Sequence, residues 1–280
     1  MALPPYLTTS EKISYYGLRV FVGLVLLFLI APILAIMPLS FNSESFFSYP
    51  MPGFSTRWYL GGNDGFFTNA RWTGALKLSL LVAAATTLLA TCLGTLAALG
   101  LSRAKFPNRA AVMAVLISPM IVPVIISAIG LFFFYAFTGL NGTLLGIILA
   151  HTALATPFVV ITVTATLMGF DRTLMRAGAS LGGAPHTVFF KVVMPLILPG
   201  VISGALFAFV TSFDEVIVIL FIGGPEQRTL PRQMFAGIRE QISPTITAAA
   251  SVLIVFSTVL LVTVELLRRR GERLRGIRPS

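Results

Sequence analysis

Charge is what this sequence has least of. Only 11% of its 280 residues are Asp, Glu, Lys or Arg, against 56% hydrophobic residues and a mean hydropathy of +0.91. A soluble domain carries about 25% charged residues. A chain with so few cannot cover a water-facing surface, and lipid is the solvent that removes the requirement. Cysteine is nearly missing: Cys92 stands alone inside an apolar run. That excludes an intrachain disulfide framework and a thiolate metal cluster, and the lone thiol reads as a small hydrophobe. Histidine is confined to His151 and His186, and no His-Glu-x-x-His run occurs, so no metal site is expected. There is no Gly-rich loop ending in Lys-Ser or Lys-Thr, which rules out ATP binding by that route. With no nucleophile–base constellation either, neither a catalytic residue nor a cofactor is expected. Acid is short too. Ten Asp and Glu face twenty Lys and Arg, for a net charge of +10. The basic residues gather in short segments between apolar runs and in the tail, the distribution of membrane topology rather than of a nucleic-acid-binding face.

What is present is a series of long uncharged runs, at 20–43, 78–102, 110–170, 192–213 and 241–264. A helix needs about 20 apolar residues to cross the hydrocarbon core. The 110–170 run is too long for one crossing and carries the turn-forming cluster Thr138-Gly139-Leu140-Asn141-Gly142, so it divides into two. The expectation is an all-α polytopic membrane protein with six spans, at 17–41, 73–102, 110–138, 143–169, 200–222 and 246–267. Barrel strands alternate polar and apolar residues, and these runs do not. The first span reads as a retained anchor, too long for a cleaved signal peptide.

Lys and Arg set the orientation. Lys12, Arg19, Arg103, Lys105, Arg109, Arg172, Arg176, Lys191 and the tail arginines 268, 269, 270, 273, 275 and 278 fall on one side. Arg57, Arg71, Lys77, Arg228, Arg232 and Arg239 fall on the other. Fourteen against six puts both termini in the cytoplasm. The segment 42–72 is then an external loop, with Trp58 and Tyr59 read as anchors at the membrane interface. Pro119, Pro123 and Pro157 interrupt the third and fourth spans, either to open a pathway or as ordinary packing bends.

The stretch 170–199 is too long for an idle connection. It reads as helix, break, helix: Leu174, Ala177 and Leu181 recur on one face, Gly182-Gly183 stops the first helix, and Pro185 suits the first turn of the next. Pro195 and Pro199 are expected to bend the chain back into the bilayer. The frame Arg176-Ala177-Gly178, three residues, Gly182, nine residues, Val192-Val193-Met194-Pro195 resembles the coupling loop of binding-protein-dependent ABC importer permeases. Their pattern is Glu-Ala-Ala, three residues, Gly, nine residues, Ile-x-Leu-Pro. Arg176 and Gly178 depart from it. Phe209 through Pro225, followed by Thr229-Leu230-Pro231, is similar to the polyamine-type branch of those permeases.

The resemblance implies a type I permease fold. It implies a second, homologous permease chain, two separate ATPase subunits and a periplasmic solute-binding protein as partners, within lipid and without nucleic acid. Leu174, Arg176, Ala177, Gly178, Leu181, Gly182 and Phe189 are then the residues expected to couple to the ATPase, by docking of the apolar side chains; packing against the chain's own helices is the alternative. The implied solute is small and cationic, such as putrescine or spermidine. A related permease for an opine or amino-acid derivative, and an ion-gradient-driven transporter, stand as the other readings.

Asp214 and Glu215 are the ionisable pair deep in an expected span, where charge is costly and usually functional. With Thr211 one turn earlier they are candidates to line the solute pathway. The alternative is a structural cap or an ion pair with Arg228 or Arg232. His151 reads as a hydrogen-bonded packing residue ahead of a proton relay. A short amphipathic helix is expected from Pro231.

Overall fold

The computed structural model describes residues 8–102, 107–169, 171, 173–240 and 243–274. Arg103, Lys105, Arg172, Arg275 and Arg278 of the basic set lie outside the described residues. The helices are α1 (Thr9–Leu39), α2 (Arg57–Leu60), α3 (Ala70–Leu101), α4 (Arg109–Ile121), α5 (Val124–Thr138), α6 (Leu144–Met168), α7 (Thr173–Ser180), α8 (Pro185–Val188), α9 (Met194–Phe213), α10 (Ile217–Ile222), α11 (Leu230–Glu240) and α12 (Pro244–Leu274). Among the described residues there is no strand, only an isolated bridge between Asn42 and Phe54.

Five helical stretches are long and apolar enough to cross a membrane: Thr9–Leu39, Ala70–Leu101, Leu144–Met168, Pro185–Phe213 and Pro244–Thr263. The pair α4 and α5, which meet at 101°, makes a sixth if taken as one broken span. The bend falls beside Pro123, one of the prolines expected to interrupt the span over 110–138. Pro123 pushes the residue before it out of the helical region, and Val122 accordingly sits at φ −70°, ψ 131°. The stretch Pro185–Phe213 also differs from the span expected at 200–222. It begins at Pro185, passes through a π turn at Phe189–Val193 and ends at Phe213. Pro195 and Pro199 lie inside it. The wide π turn immediately precedes Pro195, which has no N–H to give. α6 continues through Pro157 without a break.

The chain forms two compact units. The first holds residues 1–69 and 240–258. Its α1 opens with a capping box, Thr8 and Glu11 each taking the other's backbone N–H, and buries none of its side chains. The following loop has a small core of its own. Ser43 N–H donates to the Gly53 carbonyl and Ser55 N–H to that of Phe41, at 3.0 and 2.7 Å. Trp58 is 3% exposed, and its indole N–H donates to the Asn42 carbonyl at 2.6 Å. Tyr59 stacks on Phe41 at 4.9 Å and shares a hydrogen bond with Ser40 Oγ at 2.6 Å. These two aromatics hold the loop together.

The second unit holds residues 70–239 and 259–280, and α6 is its axis, packed by α3 and α9. Both neighbours approach through small residues at intervals of four, Ala90, Gly94 and Ala98 on α3 and Gly200, Gly204 and Ala208 on α9. Small residues let membrane helices come close, where dispersion takes over from a missing hydrophobic drive. A methyl on Gly94 would stand 2.6 Å from Val159 Cβ, one on Gly204 would stand 2.9 Å from Val159 Cα, and one on Gly200 would strike Thr166. Overpacking of this kind costs about 1–3 kcal/mol. Gly204→Val is expected to lower the melting temperature of the detergent-solubilised protein by several degrees. Gly74→Ala, which meets nothing within 4 Å, should leave it in place.

Candidate functional site

Two places in the second unit gather the expected functional residues, at opposite ends of the Pro185–Phe213 helix. At 29 residues and ~1.5 Å each, they are about 43 Å apart along the chain.

At one end the helix stops on a short break, Asp214 to Val216, before α10. The acids are not inside a helix as the apolar run implied. Glu215, one residue before the N-cap Val216, covers the start of α10 with its side chain. Its carboxylate accepts the backbone N–H of Ile217, of Val218 and of Ile219 at 3.0, 3.0 and 3.4 Å, groups a helix start leaves unsatisfied. The Glu215 side chain is 8% exposed. That carboxylate is engaged with three backbone N–H groups. Asp214 is exposed; its backbone N–H closes the last turn on Val210 at 3.0 Å. Thr211 is half-buried one turn back.

Neither arginine pairs with the acids. Arg232 Nη1 donates to the carbonyls of Gly224 and Gln227 at 2.7 and 3.0 Å, and Arg228 Nε to that of Pro225 at 3.2 Å. Arg232 thus fastens the Gly-Gly-Pro loop after α10. Gln227 completes the fastening, donating to the Gly142 carbonyl at 2.7 Å and accepting from Gly224 N–H at 2.6 Å. α11 then starts at Leu230, one residue before Pro231, its N–H held by Ser79 Oγ at 2.8 Å.

His151, on α6, is buried and reaches this break. Its Nδ1 is 2.9 Å from Ser212 Oγ, and its Nε2 is 3.9 Å from Glu215 Oε2. The hydrogen-bonded role holds, with partners that no local pattern marks: Ser212 is 61 residues away in sequence. Among the described residues no group of three or more His, Cys, Asp or Glu could hold a metal.

At the other end stands α7. Asp171 starts it, accepting from Thr173 N–H at 2.9 Å and Thr173 Oγ1 at 2.7 Å, bonds that hold its carboxyl below the usual range. A Schellman motif ends it: Gly183 N–H donates to the Gly178 carbonyl and Gly182 N–H to that of Ala179, at 3.1 and 3.0 Å. Gly182 has φ +80°, a conformation in which a Cβ is strained. Val188 packs over Gly178 and Gly183, where added methyls would meet it at 3.2 and 3.1 Å. The departure from the family's second alanine thus has a steric reason.

α7 folds against α8 and the π turn and leaves Leu174, Arg176, Ala177 and Leu181 exposed, Leu181 at 88%. Phe189 is the exception in the expected set. It opens the π turn and packs against the chain's own core with Leu99 and Leu167, while Phe190 is exposed. Beneath α7 is an apolar cavity of about 500 Å³, lined among others by Leu99, Leu167, Met175, Val188 and Phe189.

An all-helical membrane permease, with a long apolar three-helix core and a Gly-stopped surface helix, is the class this arrangement defines. The chain belongs to the binding-protein-dependent transport system inner membrane component family, whose model matches residues 90–273. The spermidine/putrescine transport system permease protein PotC of Haemophilus influenzae is 32% identical over 252 residues, 90% of this chain and 96% of the relative. The putrescine transport system permease protein PotI of Escherichia coli is 33% identical over 234 residues, 81% of this chain and 82% of the relative. A chain of a bacterial ABC transporter that imports the acidic polysaccharide alginate superposes with a TM-score of 0.71 at 15% identity, covering 95% of this chain and 99% of that one. The protein is accordingly a transport subunit that contributes the translocation pathway of an ABC importer and leaves ATP hydrolysis to another subunit.

Proposed function

We propose that the chain carries a small organic cation of the polyamine class through the membrane. The observation that carries this is the division of labour at the helix break. Glu215 is consumed by capping, whereas Asp214, beside it, keeps an exposed carboxylate between two apolar helices. An exposed anion there attracts a cation and repels an acid. The names of the PotC and PotI relatives agree with it.

In this reading α7 docks on one of two ABC ATPase subunits through Leu174, Ala177 and Leu181, with Arg176 at the rim. ATP-driven closure of the ATPases moves α7 and rocks the helices between inward-open and outward-open states. A second, homologous permease chain completes the pathway, and a periplasmic solute-binding protein delivers the solute. Both termini lie in the cytoplasm, the side richer in Lys and Arg.

The test is ATP-dependent uptake by the reconstituted complex. Spermidine and putrescine are expected to accumulate and to compete with each other, while a dicarboxylate of similar length is excluded. Accumulation of the dicarboxylate alone would overturn the cation assignment.

A further inference from the structure

His151 is a buried titratable group that the reading above does not use. It reaches both sides of the break. Its Nδ1 meets Ser212, on the last turn of α9, at 2.9 Å, and its Nε2 faces Glu215, at the start of α10, at 3.9 Å. The chemistry selects the tautomer. A neutral imidazole has one donor and one acceptor nitrogen. If Nδ1 carried the proton, the Nε2 lone pair would point at a carboxylate. With the Ser212 hydroxyl donating to Nδ1, the ring proton sits on Nε2 and points at Glu215 Oε2. Nε2 is fully buried and makes no hydrogen bond; the Glu215 carboxylate stands 3.9 Å from it.

We infer that His151 is a positioning residue for transport: hydrogen-bonded to Ser212 at 2.9 Å, with Nε2 facing the Glu215 carboxylate at 3.9 Å, it holds the α9–α10 break, and with it the place where Asp214 meets the cation. The inference rests on the proposed role of Asp214 as the cation's contact. Asp214 lies between Ser212 and Glu215, its neighbour Phe213 is buried, and Glu215 is committed to three backbone N–H groups. With both flanks held, the Asp214 carboxylate has little freedom to wander. Displacements of about 1 Å at a reacting or recognising group can cost roughly 100-fold.

The experiment uses the assembled transporter in membranes, with Cys92→Ser removing the native thiol. Asp214→Cys then reports the break through its rate of modification by a neutral thiol reagent. His151→Phe fills the space but cannot hydrogen-bond Ser212, and it is expected to raise that rate roughly fivefold or more, the scale of one lost buried hydrogen bond. His151→Gln, which retains a donor and an acceptor, restores much of the difference. Ser212→Ala tests the same hydrogen bond with a smaller change if His151→Phe does not assemble.

In parallel, His151→Phe should cut ATP-driven spermidine uptake in the otherwise native protein and cut it no further once Asp214 is Asn. An unchanged modification rate, or additive losses of uptake, overturns the inference. Unchanged uptake in Asp214→Asn alone sinks the cation role, while the modification rates still report on the break.

Discussion

Asp214→Asn is expected to lower ATP-driven spermidine uptake by one to two orders of magnitude while the complex assembles and its ATPase turns over. The substitution keeps the size and polarity of the side chain and removes only its charge. A cation centre about 5 Å from a carboxylate gains roughly 1–3 kcal/mol per unit charge at effective dielectrics between water and a protein surface, and each 1.4 kcal/mol is about tenfold. Asp214 is exposed at the end of a helix, so its loss withdraws no support from the fold. Asp214→Glu retains the charge and should retain most of the transport. Glu215→Gln is expected to behave in the opposite manner, because that carboxylate holds three backbone N–H groups of α10. It should lower thermal stability before it alters any preference among solutes. The measurement is initial uptake of labelled spermidine into proteoliposomes, beside thermal melts of each variant. Equal uptake by Asp214→Asn and the native protein would remove Asp214 from the pathway.

The second large effect belongs to α7. Leu181→Glu should leave the isolated chain as stable as before and abolish ATP-driven uptake, with the ATPase no longer co-purifying. In this chain Leu181 is 88% exposed, so a charge there disturbs nothing within the fold. In the proposed complex the same side chain enters a groove on the ATPase, where burying a leucine contributes about 1.5–3 kcal/mol and an unpaired carboxylate costs more. Leu174→Glu, at a residue 43% exposed, should act in the same direction with a smaller loss. Phe189→Glu predicts the reverse pattern. Its ring packs against the chain's own core, so the protein should lose stability whether or not an ATPase is present. A stable, coupled Leu181→Glu transporter would remove α7 from the interface.

The contrast between Leu181 and Phe189 shows where sequence reading stops. Both are apolar, both lie in the frame that resembles a coupling loop, and a helical wheel treats them alike. Leu181 follows α7 at 88% exposure, whereas Phe189 opens the π turn on the next helix and packs against the core; how each helix packs, which the sequence does not announce, separates them. Gly182 was legible for the opposite reason. A glycine after a short amphipathic helix has one common use, and its φ of +80° is that use. The hairpin at Gly139 and Gly142, with φ of +73° and +69°, was legible on the same ground.

The apolar runs and the scarcity of charge determined by themselves that this protein is a bundle of membrane-crossing helices, since burial of backbone and side chains in lipid leaves few other solutions. The resemblance of the 176–195 frame to a permease coupling loop, together with the Phe209–Pro225 stretch, pointed to the family the chain belongs to. The roles of Asp214 and Glu215 had to wait for the tertiary structure. Two adjacent acids are equivalent to any pattern along the chain. They part company only when the helix stops at Phe213, one carboxylate is drawn under the start of α10 and toward His151 of another helix, and the other is left facing out. Contacts between residues 61 positions apart, such as His151 and Ser212, are set by how helices pack, and packing depends on the shapes of all the facing side chains at once.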